Sequence, residues 1–217
     1  MKITSNISTY CLELFEKIRY SDSPGKIQGV ARYYNVEHVQ WVFTRKDGIG
    51  YVFFIGSNEF WDWVHNFMFR LRETPYCGTN RKLKVHSGFY QSYLEARGVV
   101  HSYVKDFGKV VIFGHSLGGA IATLCAVDIQ YNFPEKEIGY FSIGSPRVGN
   151  RVFAESFNGR LPDAVRCVNG NDVVTKIPFG SMGFSHVANL KHIGDRKWYP
   201  SVRDHSVRRY RKNFPSA

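Results

Sequence analysis

Lys109-Val110-Val111-Ile112-Phe113-Gly114-His115-Ser116-Leu117-Gly118-Gly119-Ala120 is the stretch on which the reading of this chain turns. It opens as a short β-branched and aromatic run, the composition of a strand buried on both faces. Gly-x-Ser-x-Gly follows, and then a helix is expected from Leu117 to Tyr131. Glycines on both sides of a serine between such a strand and helix mark a turn so sharp that side chains there would collide. Ser116 is thereby thrust above the sheet, and the helix N-terminus beneath it favours developing negative charge. The five-residue pattern is weak by itself, since glycine and serine are common; the strand before it and helix after it supply the required context.

Outward from this turn, strands and helices alternate. Val39 to Arg45 and Tyr51 to Ile55 are rich in β-formers, and Lys46-Asp47-Gly48-Ile49-Gly50 between them reads as a hairpin turn. Ile7, Cys11, Leu14, Phe15 and Ile18 recur at helical spacing, and Phe89 to Phe107 is a second helix candidate. Further strands are expected at Ile138 to Ile143, Ala164 to Val168 and Ser185 to His192. This alternation predicts an α/β protein: a mostly parallel central sheet with helices on both faces. With its serine elbow, the expected fold class is the α/β-hydrolase fold. No repeat, linker or low-complexity stretch divides residues 1–217, so one domain is expected.

Composition sets the outer limits. Hydrophobic residues make up 43% and charged residues 22%, values of a globular chain. Aromatics reach 16%, enough to fill a large core or to line a greasy cleft. A formal charge of +11 favours anionic surfaces. No zinc-finger, RNA-binding or basic-zipper pattern accompanies it, so nucleic acid is not an expected partner. Cysteines 11, 77, 125 and 167 lack Cys-x-x-Cys spacing, against a zinc site or a disulfide framework, and Cys125 and Cys167 read as buried thiols. Met1 to Tyr20 lacks the apolar run of a signal peptide, and no segment is long and apolar enough to span a bilayer. The expectation is a soluble intracellular protein, with release by lysis possible. Nothing in the sequence sets an oligomeric state.

A nucleophilic serine needs a base and an acid to orient it. The histidines after Ser116 are His186, His192 and His205. Among the acids, Asp128 lies in the helix after the elbow, directed away from the top of the sheet. Asp172 follows the strand ending at Val168 through Asn169-Gly170-Asn171, at the carboxyl end where active sites of parallel sheets assemble. Its bland reading is an Asx-turn residue. His205, in Asp204-His205-Ser206, comes after all the strands, where a loop could lay it over the elbow. Position separates it only modestly from His186.

Taken together, these segments resemble the class 3 lipases, the group that includes fungal triacylglycerol lipases. The motifs that carry the resemblance occur in order: Gly56-Ser57, Asp62-Trp63, Val85-His86-Ser87-Gly88-Phe89, the elbow through Ala120, Gly144-Ser145-Pro146-Arg147-Val148-Gly149-Asn150, Val168 to Val174, and Asp204-His205-Ser206 with Tyr210. The resemblance implies a catalytic triad of Ser116, Asp172 and His205, an oxyanion hole from the backbone N–H groups of Ser57 and Leu117, and no metal or cofactor. It also implies structural roles for His86, His115, Arg147 and Asn150. Ile55 stands where the family commonly has an arginine, and the cysteines do not suggest the disulfides of the secreted fungal enzymes.

In the resembling lipases a lid helix follows the oxyanion residue, and the matching segment here is 58–70. Phe60, Val64, Phe67 and Met68 fall on one helical face, with Trp61 and Trp63 beside them. A mobile lid over an acyl-chain site and a helix fixed into the core both fit this pattern. Arg203, Arg208, Arg209, Arg211 and Lys212 surround His205 and suit either peripheral contact with an anionic membrane surface or a solvated tail. The expected function is serine-dependent hydrolysis of lipid esters, acylglycerol or phospholipid, through an acyl-enzyme. A small-acyl or feruloyl-type esterase and an inactive lipid-binding module are the alternatives.

Overall fold

The computed structural model of the protein describes residues 1–36, 39–56, 70–74 and 82–215. A central sheet of seven strands is built from β1 (Val30–Val36), β2 (Val39–Lys46), β3 (Ile49–Ile55), β6 (Lys109–His115), β7 (Glu137–Ile143), β9 (Val165–Asn169) and β11 (Asn189–Ile193), side by side in that order. The first two pairings are antiparallel and the other four are parallel. A smaller antiparallel sheet holds β4 (Leu71–Glu73), β5 (Lys84–His86), β8 (Gly149–Asn150) and β10 (Phe184–Ser185).

Helices cover both faces of the central sheet because its strands are apolar on both faces. Along β2, β3 and β6, Trp41, Phe43, Val52, Phe54, Val110 and Ile112 point to one core. That core is closed by α2 (Ser87–Val104), α3 (Leu117–Asn132) and α4 (Arg151–Arg160). The alternate residues Val42, Phe53, Val111 and Phe113 join the other core, under α1 (Ser5–Arg19) and beside α5 (Val207–Asn213). Residues 117–129 of α3 are buried without a break, as for a helix enclosed on all sides. Thr4 caps α1 by accepting from the Ile7 N–H, and its side towards the sheet carries Cys11, Leu14, Phe15 and Ile18.

The predicted elements are present, with shifted ends. The helix expected from Phe89 to Phe107 starts at Ser87, because His86 caps it, and stops at Val104. The segment read as one strand, Ser185 to His192, is two. Phe184–Ser185 pairs with β8, Ala188 turns with a φ of 64°, and Asn189–Ile193 then pairs with β9. Buried Val187 and the His186 Nε2 bond to the Thr175 carbonyl pin the break, and apolar alternation gives no sign of it. The small sheet had no sequence signal, since strands of two or three residues are too short to show a period. Cys11 joins Cys125 and Cys167 as a buried free thiol. Among the described residues no helix is long and apolar enough to cross a membrane.

Two glycines decide how β6 meets α3. A Cβ on Gly114 would sit 2.2 Å from the Gly118 carbonyl oxygen, and one on Gly118 would sit 2.1 Å from that of Phe54. Both are backbone obstacles that cannot swing away. Gly118→Ala is therefore expected to lower stability by about 3 kcal/mol or more. Gly98→Ala, where an added Cβ meets nothing within 4 Å on helix α2, is expected to raise it by about 0.5–1 kcal/mol. Urea unfolding of the two variants checks the contrast.

Candidate active site

Ser116 lies between β6 and α3 with φ 59° and ψ −130°, a positive φ that a residue with a Cβ adopts only when its surroundings enforce it. The Ser116 N–H donates to the Ile143 carbonyl at 3.2 Å, and the Gly119 and Ala120 N–H groups return to the Ser116 carbonyl. Its Oγ is buried and has no hydrogen-bond partner among the described residues. Leu117 is the first residue of α3, so its N–H belongs to the helix end where partial positive charge collects.

Asp172 follows β9 and is fully buried. An ionised carboxylate in such a place must be met by donors. Three meet it: the Val174 N–H at 2.9 Å, His205 Nδ1–H at 2.8 Å and the Tyr210 hydroxyl at 2.7 Å. Burial and the Asp172 charge push the Tyr210 hydroxyl well above its ordinary pKa, so it stays a donor. With Nδ1–H given to Asp172, Nε2 is the basic nitrogen of His205.

Three contacts bring His205 to the elbow. Gly144, directly after Ile143, adopts φ 61°, and a Cβ there would meet the His205 ring at 2.9 Å. His115, directly before Ser116, faces the His205 ring at 4.5 Å between centroids and donates from Nε2 to the His205 carbonyl at 2.9 Å. Asn169 Nδ2 donates to the Asp204 carbonyl, while the Asp204 carboxylate accepts from the Asn171 N–H. Burial, reinforced by His205, holds the His115 pKa well below its ordinary value. A neutral His115 fixes its neighbour without opposing positive charge on it.

The structure thus bonds His205 to Asp172 and sets its ring against His115, next in the chain to Ser116, and it takes the rival histidines elsewhere. His186 bonds the Thr175 carbonyl and His192 the Gly170 carbonyl. Asp128 is buried on α3 among Tyr93, Arg97, His101 and Asn132. His86 accepts from the Gly88 and Phe89 N–H groups at the start of α2, and Asn150 caps α4. Arg147 donates to the carbonyls of Lys176 and Pro178. The sequence reading named Tyr210 within a motif but assigned it no role; its contact with Asp172 joins α5 to the loop after β9 across 38 residues, a separation with no local signal. Ser57, Phe60, Trp61, Trp63, Val64, Phe67 and Met68 lie outside the described residues, as does the lid segment 58–70 except Arg70. Gly56 is described, and a Cβ on it would touch Ser116 Cβ at 3.0 Å and Leu117 N at 3.5 Å.

A parallel sheet with a strained serine at its carboxyl edge, beside an aspartate–histidine pair, defines an α/β-hydrolase. The family model described as lipase (class 3) matches residues 51–182, and the chain belongs to that family. It is 33% identical over 155 residues to a lipase of Rhizomucor miehei, covering 67% of this chain and 42% of that protein. It is 31% identical over 177 residues to the chloroplastic phospholipase A(1) DAD1 of Arabidopsis thaliana, covering 64% of this chain and 40% of that one. The chain thus spans about 40% of the length of these curated relatives. The solved Rhizomucor miehei triacylglyceride lipase superposes with a TM-score of 0.78 at 24% identity, covering 91% of both chains. A triacylglycerol lipase described as having a serine protease triad as its catalytic centre superposes at 0.73, with 25% identity over 88% of this chain and 81% of that one.

Two measurements follow from the charges of the site and its supports. Burial lowers the pKa of His86 to about 4; burial, with Arg166 and Arg147, lowers that of His186 to about 3. Their ordinary value is 6.5, so from there downward the unfolded chain takes up protons that the folded chain refuses. Their contribution is complete above 6.5 and is lost as pH falls towards 4 and 3, by up to about 1.4 kcal/mol per pH unit for each group. Urea unfolding across this range should show the fall, with a shallower slope in His86→Asn. Tyr210→Phe removes a donor from a buried carboxylate and should cost about 2 kcal/mol in the same assay.

Proposed function

We propose that this protein is a serine carboxylic ester hydrolase acting on lipid esters, with Ser116, His205 and Asp172 as its triad. The observation that carries the proposal is the Asp172–His205 bond beside a serine held at positive φ. In this reading Nε2 of His205 takes the Ser116 proton as Oγ attacks the ester carbonyl. Asp172 keeps the imidazole in the required tautomer and stabilises its charged form. The tetrahedral oxyanion is met by the Leu117 N–H and, as the family resemblance implies, by the Ser57 N–H, each worth about 3 kcal/mol of barrier. His205 returns its proton to the leaving alcohol, and water then hydrolyses the acyl-enzyme by the same steps.

The lipid assignment is supported by the family and by relatives described as a lipase, a phospholipase A(1) and a secreted mono- and diacylglycerol lipase. An anionic membrane surface is the proposed setting, drawn by the basic residues that flank His205. A nitrophenyl-ester series of increasing acyl length, run beside Ser116→Ala, tests the proposal. Turnover should fall by at least about 10⁴-fold in the variant, with the optimum at medium or long chains. An optimum at the shortest acyl groups would favour a small-ester enzyme. Wild-type protein that binds lipid without turnover would be a binding module.

A further inference from the structure

The loop from Gly194 to Arg203 joins β11 to the turn that carries His205, on the carboxyl edge of the sheet. Residues 194–200 are all exposed, and Trp198 stands 94% exposed, the extreme among the large apolar side chains described. Tyr199 is beside it, edge to ring at 5.3 Å, and Val202 is 57% exposed. Leaving an indole and its neighbours in water forgoes burial that most chains would take.

The loop is nevertheless held firmly to the site. Asn171 Nδ2 donates to the carbonyls of Lys197 and Tyr199, and the Ser201 N–H donates to the Asn171 carbonyl at 2.9 Å. Ser201 bridges Asp172, and the His205 N–H donates to the Val202 carbonyl. The exposed aromatics are therefore fixed to the backbone that carries the acid and the histidine.

Charge around them is unevenly committed. Arg208 and Arg211 of the tail meet Glu16 and Glu13 of α1, and Arg209 and Lys197 meet buried Asp204. Arg196 and Arg203, which bracket Trp198, have no ion pair with a carboxylate among the described residues. Asp195 is the one exposed anion of the loop. Arg196 and Arg203 thus leave positive charge beside the exposed indole, while Arg208, Arg209 and Arg211 of the tail face carboxylates.

We propose that the 194–203 loop is a membrane anchor, docking the protein on anionic phospholipid bilayers with Trp198 at the headgroup level and Arg196 and Arg203 on lipid phosphates. Amphipathic aromatics settle at membrane–water interfaces, and nearby arginines add attraction that salt screens. The inference rests on the lipid-ester reading above and names the surface from which substrate would be drawn. Docking by this loop sets the mouth of the site against the lipid, because the loop is bonded to the acid loop and the histidine turn.

Co-sedimentation tests it, with vesicles of phosphatidylcholine alone and with about 30% phosphatidylglycerol added. Wild-type protein should bind the anionic vesicles, weakly or not at all the neutral ones, and lose affinity as salt rises. Trp198→Ala should weaken binding about tenfold and Arg196→Gln about fivefold. Both should keep wild-type turnover of a soluble short-chain nitrophenyl ester, which also reports that they fold. Ser116→Ala should bind vesicles normally while losing turnover, so failure of the hydrolase reading and failure of the anchor are read separately. Unchanged binding in Trp198→Ala and Arg196→Gln, equal binding to neutral vesicles, or no vesicle binding at all would overturn the anchor.

Discussion

Helix α3 can begin directly after β6 only because two positions on the path have no side chain. With hydrogen at Gly114 and Gly118, the helix backbone rests against the carbonyl of Phe54 on the neighbouring strand. Ser116 is then forced to positive φ, and its Oγ is set above the sheet while its backbone is tied to β7. The strain is local and is held by what surrounds it: α3 is buried along its first thirteen residues, 117–129, between the sheet and its covering helices. The close approach also brings the end of β3, at Gly56, against Ser116 and the Leu117 amide. Everything proposed for the serine depends on this contact being made.

Around that contact the protein manages charge by meeting the buried Asp172 with donors and keeping the His115 ring neutral. Asp172 is surrounded by an amide, a phenol and an imidazole, all donating. His115, His86 and His186 are all pushed down by burial, and among the described residues His205 is the imidazole beside the elbow that bonds a carboxylate. In the proposed mechanism the proton taken from Ser116 goes to the imidazole that Asp172 compensates. The arginines of the tail lie at the surface, where α1 pairs with Arg208 and Arg211.

Much of this was legible along the chain because it is local. The buried strand Lys109 to Phe113, the elbow and the helix after it form one continuous segment, and strand–helix alternation through the middle is enough to expect a parallel sheet. Asp172 was reachable from position, since it follows a strand at the carboxyl edge. Position separated His205 only modestly from His186, and the family resemblance made it the firm choice. The reason is physical: 33 residues divide His205 from Asp172, and no periodic pattern reports which loop folds back over the elbow. The break in Ser185 to His192 was hidden for the same reason, because its two halves pair with strands of different sheets.

By itself, then, the sequence determined the sharp turn that carries Ser116, the apolar strands on either side of it and the helices that cover them, since each depends on residues adjacent in the chain. The tertiary structure decided which histidine meets the aspartate, that Tyr210 and His115 hold the pair in place, and which arginines are already spent on ion pairs. These are meetings between groups far apart in sequence. Their distances are set by how the sheet twists and how its loops close, and neither is written in any one segment.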